Sequence, residues 1–329
     1  MKALVTGGGG FVGAALCLRL RTLGHDVTAL GRSSYPALVA EGIRTATHDL
    51  SQTAQQPALV QLLDGVDCVF HTAAHVKMWG PKKAFVEGNV TATDNVIAAC
   101  RRAGVSKLVF TSSPSVVATS HGLRGVDESQ PYPRHFAAFY AETKAAAERD
   151  VLQAHCAGLC TIALRPHLIF GPGDTNLVPT ILGRASAGRL VQVGDGKNLV
   201  DLTFIDDCVE AHLLAAAALE ARPAAGGRAY FISQGTPVPL WEWIGRVLAL
   251  HGIAPVQRRL SATTARLLAT AAEATWRTLG LSSDPPLTRF LAEEMASDHY
   301  FSIAAARREL GYSPRYSVWE ATERSFGTP

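Results

Sequence analysis

The 329-residue chain lacks a charge excess: 31 Lys and Arg stand against 28 Asp and Glu, a formal net charge of +3. No block of Lys or Arg offers a phosphate-tracking surface, which argues against nucleic acid as a partner. It also lacks a long apolar run. None approaches the roughly 18 uncharged residues that cross a bilayer, so no transmembrane segment is expected. Cysteine is sparse and scattered. Cys17, Cys68, Cys100, Cys156, Cys160 and Cys208 form no CxxC pair, and no histidine stands at ligand spacing from Cys156 and Cys160. The pattern reads as reduced thiols with no disulfide framework and no metal site. A signal peptide is missing, since Met1-Lys2-Ala3-Leu4-Val5 leads straight into a strand, and a cytoplasmic chain is the expectation.

What the chain has is apolar bulk in a regular rhythm: 47% of residues are hydrophobic and 18% charged, enough for a well-buried core. Short β-branched runs at 2–6, 26–30, 43–48, 67–72, 107–111 and 161–165 alternate with helical patterns, among them 11–23, 85–103 and 139–157. Strands alternating with helices imply crossover units and a parallel sheet covered on both faces. The expected fold class is α/β, a Rossmann-like doubly wound parallel sheet. After Arg165 the rhythm breaks at "RPHLIFGPGD" and "VGDGKN", and the rest reads as helices with short strands near 202–205 and 229–232. The expected division is a dinucleotide-binding domain, 1–171 and about 199–236, and a smaller, discontinuous, mostly helical substrate domain, about 172–198 and 237–329.

"LVTGGGGFVG" sets Gly7, Gly10 and Gly13 between the first strand and the first helix. Gly7 permits a tight turn, Gly10 lets backbone approach a pyrophosphate, and Gly13 allows close helix–sheet packing at an anion-favouring helix terminus. The second strand ends Ala29-Leu30-Gly31-Arg32-Ser33 with no carboxylate for a ribose diol. Arg32 and Ser33 could hold a 2′-phosphate, so NADP(H) is favoured over NAD(H). Asp49, after the third strand, is placed either to cap the adenine end or to cap a helix.

Tyr140 and Lys144, in Y-A-E-T-K, lie one helical turn apart on the same face. An ammonium beside a phenol favours the phenolate, which predicts a lowered pKa and a general acid/base at Tyr140. Upstream, "TSSPSVV" at 111–117 puts a cluster of hydroxyls at the end of the fifth strand.

The order of glycine loop, hydroxyl cluster and YxxxK resembles the short-chain dehydrogenase/reductase superfamily. The length, the loop spacing, "HTAA" at 71–74 and "RP" at 165–166 resemble its extended branch. "TSSPSVV", "LRPHLIFGPGD", "GDGKNLVDLTFIDD" and "DHYFS" followed by "ARRELGYSP" are similar to the 3β-hydroxysteroid dehydrogenase family, above all to its decarboxylating sterol-4α-carboxylate 3-dehydrogenases. "TGGGGFVG", "GRSSYPAL" and "PPLTRFLAEE" resemble bacterial 2-alkyl-3-oxoalkanoate reductases instead. The resemblance implies that Ser113, with Ser112 as the alternative, polarises the substrate oxygen, that Tyr140 moves its proton and that Lys144 holds the nicotinamide ribose. It implies cofactor contacts at Gly7, Gly10, Phe11, Val12, Gly13, Arg32, Ser33, Asp49, Leu50, Ala73, Ala74, Tyr140, Lys144 and Pro166.

The function implied is NAD(P)-dependent oxidation or reduction at the 3-hydroxy/3-oxo group of a large apolar substrate, first a sterol-type acid, alternatively a 2-alkyl-3-oxo acid. A sugar epimerase or dehydratase is more remote, since it calls for an acidic residue after strand two. Both leading substrates carry a carboxylate β to the reacting carbon, with His75, Lys77 and Arg184 as candidate partners. The resemblance also implies a homodimer through the helices at 85–103 and 139–157. In 260–281, Arg266, Glu273 and Arg277 fall on one helical face, and Leu260, Leu267, Leu268, Ala271 and Leu279 on the other. That amphipathic pattern fits a helix packed on the core, or else a lid or a helix touching a membrane surface.

Overall fold

The structure is a computed structural model and describes residues 1–119, 122–281 and 283–327. Strands β1 (Lys2–Thr6), β2 (Asp26–Gly31), β3 (Arg44–Thr47), β4 (Cys68–His71), β5 (Lys107–Thr111), β6 (Cys160–Pro166) and β7 (Ala229–Ile232) form one sheet. Its order is β7-β6-β5-β4-β1-β2-β3, and every neighbouring pair is parallel. Helices α1 (Phe11–Thr22), α2 (Ala92–Ala103), α3 (Phe139–Gln153), α4 (Leu177–Ser186), α5 (Ile205–Ala221), α6 (Leu240–Leu250), α7 (Ala262–Thr278) and α8 (Arg289–Glu294) follow in chain order.

Both faces of the sheet are buried, which is why its strands read as continuous apolar runs and not as alternations. Successive residues still point oppositely. Val5, Phe70 and Val109 pack with Leu16 and Leu20 of α1 and Val209 of α5. Leu4, Val69, Leu108 and Phe110 pack with Val96 and Cys100 of α2 and Val151 of α3. The chain leaves β1 toward β2 and β3, then crosses back to β4. That reversal opens a crevice at the carboxyl edge between the β1 and β4 loops, the place where such sheets bind ligands.

A second, four-stranded sheet combines Val238–Pro239, Leu199–Val200, His299–Phe301 and Leu123–Val126 in that order. The rings of Phe231, on β7, and Phe301 stack at 4.4 Å and tie the two sheets together. The predicted helix over 85–103 is broken into Lys82–Phe85, a π-helical turn Val86–Thr91, and α2. In that turn Asn89 directs its side chain to the loop after β4, and Gly88 lies so close to His75 that an added Cβ would meet the His75 Cβ at 2.8 Å.

Helix α7 keeps its predicted amphipathic division, and its leucine face is the exposed one. Its buried residues are Ala265, Ala269 and Glu273. Leu267 and Leu268 are 68% and 52% exposed, and Leu279 just beyond is 65% exposed. The charged face can be the packed one because Glu273 is fully partnered: Arg289 donates from its backbone N (2.7 Å) and its Nε (2.9 Å), and Arg277 from 3.3 Å. No helix among the described residues is long and apolar enough to cross a membrane.

Candidate active site

One cavity of about 810 Å³ runs along the carboxyl edge of the main sheet, from the glycine loop to the second sheet. Its first wall is the turn after β1. Gly7 adopts φ +66°, a left-handed conformation that favours glycine, and a Cβ on Gly13 would sit 2.2 Å from the Gly7 carbonyl oxygen. The Gly10 N–H donates to Gly7 O (2.8 Å), and Gly10 caps α1, whose first turn holds no acidic residue. The glycine cradle and the bare helix terminus fit a dinucleotide pyrophosphate. Phe11, Val12, Leu50, Ala73, Ala74 and Pro166 line the same cavity.

At the adenosine end β2 stops at Gly31, and Arg32 and Asp49 line the cavity while Ser33 is exposed and stays outside its wall. Asp49 accepts from the backbone N and the hydroxyl of Ser51 at 3.0 and 2.8 Å. Sequence reasoning missed Tyr35. Its ring lies so close over the turn that a Cβ on Gly9 or Gly31 would overlap it.

The hydroxyl cluster stands at the centre. Ser113 Oγ accepts from Ser115 N (3.2 Å) and Ser115 Oγ (3.0 Å), and it is the side chain that pulls on the Tyr140 phenol, with which it lines the cavity. Ser112 is buried, and its Oγ has no hydrogen-bond partner among the described residues. The structure thus joins Ser113, not Ser112, to the phenol. Lys144 Nζ donates to the Thr111 carbonyl (2.6 Å) and lies 4.0 Å over the Phe110 ring. The expected lowering of the Tyr140 pKa is not found. Burial pushes the phenol up, and the neighbouring Ser113 hydroxyl opposes this only in part. Burial also pulls Lys144 down to about 7, and its charge is aimed at the strand carbonyl and not at the phenol. A protonated phenol beside a readily discharged amine is therefore the resting arrangement.

Behind this centre lie positioning residues without a sequence signature. His212 Nδ1 faces the Cys208 carbonyl (2.7 Å), which can only accept, so Nδ1 carries the proton and Nε2 accepts from Thr111 Oγ1 (2.8 Å). Asn89 holds both His75 N (2.7 Å) and Thr143 Oγ1 (3.0 Å), fixing the β4 loop against α3.

Of the candidate carboxylate partners, His75 lines the cavity, whereas Lys77 and Arg184 do not. Lys77 points into solvent beside cavity residues Val76 and Met78, and Arg184 sits late in α4, away from the cleft. In their place the structure brings in two residues the sequence reading did not single out. His167 and His299 line the far end with Leu168, Phe290 and Phe301.

A glycine-cradled helix terminus, a serine–tyrosine pair and a buried lysine at the edge of a doubly wound sheet define an oxidoreductase of the NAD(P)-binding Rossmann class. Comparison with known proteins narrows this. Residues 4–261 match the 3-beta hydroxysteroid dehydrogenase/isomerase family, and the chain belongs to it. It is 47% identical over 326 residues to the 2-alkyl-3-oxoalkanoate reductase of Stenotrophomonas maltophilia (strain K279a), across 98% of both chains. It is 32% identical to the decarboxylating sterol-4-alpha-carboxylate 3-dehydrogenase of Mus musculus, across 98% of this chain and 90% of the other. The ranking read from the quoted motifs is thereby reversed, with the reductase nearer than the sterol enzyme. Among solved structures, MoeE5 in complex with UDP-glucose and NAD superposes with a TM-score of 0.77 at 26% identity, over 99% of this chain and 97% of the other.

Proposed function

We propose that the chain reduces the 3-oxo group of a 2-alkyl-3-oxo acid, with NADPH as the preferred cofactor. The observation that carries the chemistry is the meeting of Ser113, Tyr140 and Lys144 on the wall of the one cavity that the glycine loop opens. Two hydroxyl donors converge where a ketone oxygen can sit. Ser113 polarises that oxygen, and Tyr140 gives up its proton as negative charge develops there. A phenol held protonated by burial is the state a reduction requires. Lys144, one helical turn from Tyr140, lines the same cavity with its pKa pulled down to about 7. When bound, the dinucleotide supplies the hydride; the residues lining its cradle orient it.

The substrate class is supported by the similarity to the reductase of Stenotrophomonas maltophilia and by the apolar far end of the cavity, where Leu168, Ile169, Leu177, Phe290 and Phe301 suit a long alkyl body. The cofactor preference is supported by Arg32 on the cavity wall and by the lack of a carboxylate at the end of β2. A second reading, oxidation of a sterol acid, draws on the family match.

The test follows NADPH absorbance with a 2-alkyl-3-oxo acid, and NAD(P)+ with a 3β-hydroxysterol acid. Turnover of the first and not the second is expected. Tyr140→Phe should lower kcat by about 10²–10⁴-fold while NADPH binding, read by fluorescence, persists. Retained turnover in that variant would overturn the assignment of Tyr140.

A further inference from the structure

The far end of the cavity contains a buried histidine pair. His167 and His299 are 7% and 6% exposed, and His167 Nε2 lies 2.6 Å from His299 Nδ1. His299 Nε2 is 2.7 Å from the Glu294 carbonyl, which only accepts, so Nε2 carries the proton of that ring. In a neutral His299, Nδ1 is then an acceptor, and His167 Nε2 must donate to it. The last nitrogen of the chain, His167 Nδ1, is left as a lone pair. It has no hydrogen-bond partner among the described residues, and its ring lines the cavity.

The same three residues, His167, Glu294 and His299, are grouped closely enough to suggest a metal site. The geometry speaks against one. Two imidazole nitrogens on a tetrahedral zinc stand about 3.3 Å apart, whereas 2.6 Å is a shared-proton distance.

The position of the pair relative to the reacting centre gives it a use. In the β5–β6 register Thr111 lies beside Leu164. Ser112 N donates to Leu164 O at 2.6 Å, so the two chains leave the sheet side by side, and Ser113 and His167, each within three residues of that last pair, both line the cavity. Neighbouring strands are about 4.8 Å apart. In a 3-oxo acid the carboxyl carbon is two bonds, or about 2.5 Å, from the ketone carbon, so the group that grips the carboxylate has to stand next to the residue that grips the ketone. The backbone is set for this: Leu168, following His167, has φ +40°, the single non-glycine positive φ among the described residues. Among the described residues that line the cavity, the Lys and Arg are Arg32, at the adenosine end, and Lys144, at the Thr111 carbonyl, and none stands at this end.

We propose that His167, backed by His299 and the Glu294 carbonyl, is the recognition site for the carboxyl group of the substrate, which binds there together with one proton shared with His167 Nδ1. The idea rests on the 3-oxo acid reading and deepens it. With the cavity empty, burial and the neighbouring His299 hold His167 neutral; charge appears on the ring only when an anion is there to meet it. An ester lacks both the charge and the proton, so it cannot use the site.

The test compares a 2-alkyl-3-hydroxy acid with its methyl ester, oxidised by the 329-residue chain with NADP+. In the wild type kcat/KM should favour the acid. In His167→Gln the acid-over-ester ratio should fall by about 10–100-fold, the range for losing one charge-assisted hydrogen bond. NADPH binding, followed by fluorescence, shows that the variant is folded. His299→Phe, which keeps His167 but removes its acceptor, should move the ratio the same way. A ratio unchanged in both variants, or equal losses on acid and ester, overturns the carboxyl site and leaves the redox reading intact. A wild-type chain that binds NADPH but turns over neither compound overturns the redox reading itself, and this site with it.

Discussion

Lys144 illustrates how much a single side chain's surroundings decide. Its Nζ is buried between the Thr111 carbonyl and the Phe110 ring, and burial takes its pKa from 10.5 down to about 7. In the unfolded chain the amine keeps its proton up to the ordinary value. Between pH 7 and 10.5 the unfolded chain therefore binds more protons than the folded one, and the contribution of Lys144 to stability rises with pH by up to about 1.4 kcal/mol per unit. Below pH 7 both states hold the proton and the contribution is flat. Urea unfolding of the wild type and of Lys144→Met, measured from pH 6 to 10, should show a stability difference that is constant below about 7 and then shifts steadily in favour of the wild type. A parallel pair of curves would show that Lys144 stays charged in the folded protein. The same residue shows the limit of reading YxxxK alone. The spacing gave the shared helical face, but the direction of the ammonium and the depth of burial come from β5, over 30 positions away in sequence.

At the scale of elements, α3 must be held against the sheet for Tyr140 to meet Ser113. Arg165 of β6 does this with a two-point contact to Glu148 of α3, Nε at 3.0 Å and NH2 at 2.6 Å, while Tyr132 donates to the same carboxylate at 2.7 Å. Both ion-pair partners are almost fully buried. Glu148→Ala would leave the guanidinium buried and uncompensated, a loss of about 3–5 kcal/mol. Urea unfolding should show that loss, with a fall in kcat larger than the change in KM as α3 moves. A loss below 1 kcal/mol would mean that the pair does not anchor the helix. Elements of this kind were unevenly legible in the sequence. The main sheet was readable because its strands are long apolar runs set between helical periods, and the glycine loop because φ and packing demand glycine at Gly7 and Gly13. The strands Leu199–Val200, Val238–Pro239 and His299–Phe301 carry two or three residues each, too few for any period to show. The π turn at Val86–Thr91 left the helical pattern intact, since Asn89 and Gly88 serve the β4 loop and not the helix. Which face of α7 packs was not legible, because burial of Glu273 depends on Arg289, a residue outside the helix. The histidine pair joins positions 132 apart and leaves no local trace.

At the scale of the whole molecule the cavity is built from both sheets. The main sheet gives the glycine loop, the ends of β2 and β4, and Ser113; the second sheet and α8 give His299, Phe301, Phe290 and Glu294. A ligand that fills the cavity therefore adds contacts across the junction, and because it binds only the folded chain it stabilises by RT ln(1 + [L]/Kd), about 2.7 kcal/mol at a hundredfold excess over Kd. In a chain of this size that amounts to a rise of a few degrees in Tm. If Arg32 reads the 2′-phosphate, NADPH should raise Tm more than NADH at equal concentration, and Arg32→Ala should bring the two shifts together by reducing the NADPH shift alone. Melting curves of both proteins with both cofactors check this. Equal shifts in the wild type would mean that the bare end of β2 does not select the phosphate. If the 2-alkyl-3-hydroxy acid meets Ser113 on one sheet and the histidine pair between the two, adding it to the NADP+ complex should raise Tm further. The added rise should be smaller in His167→Gln, since that variant loses the contact at the junction and keeps the one on the main sheet.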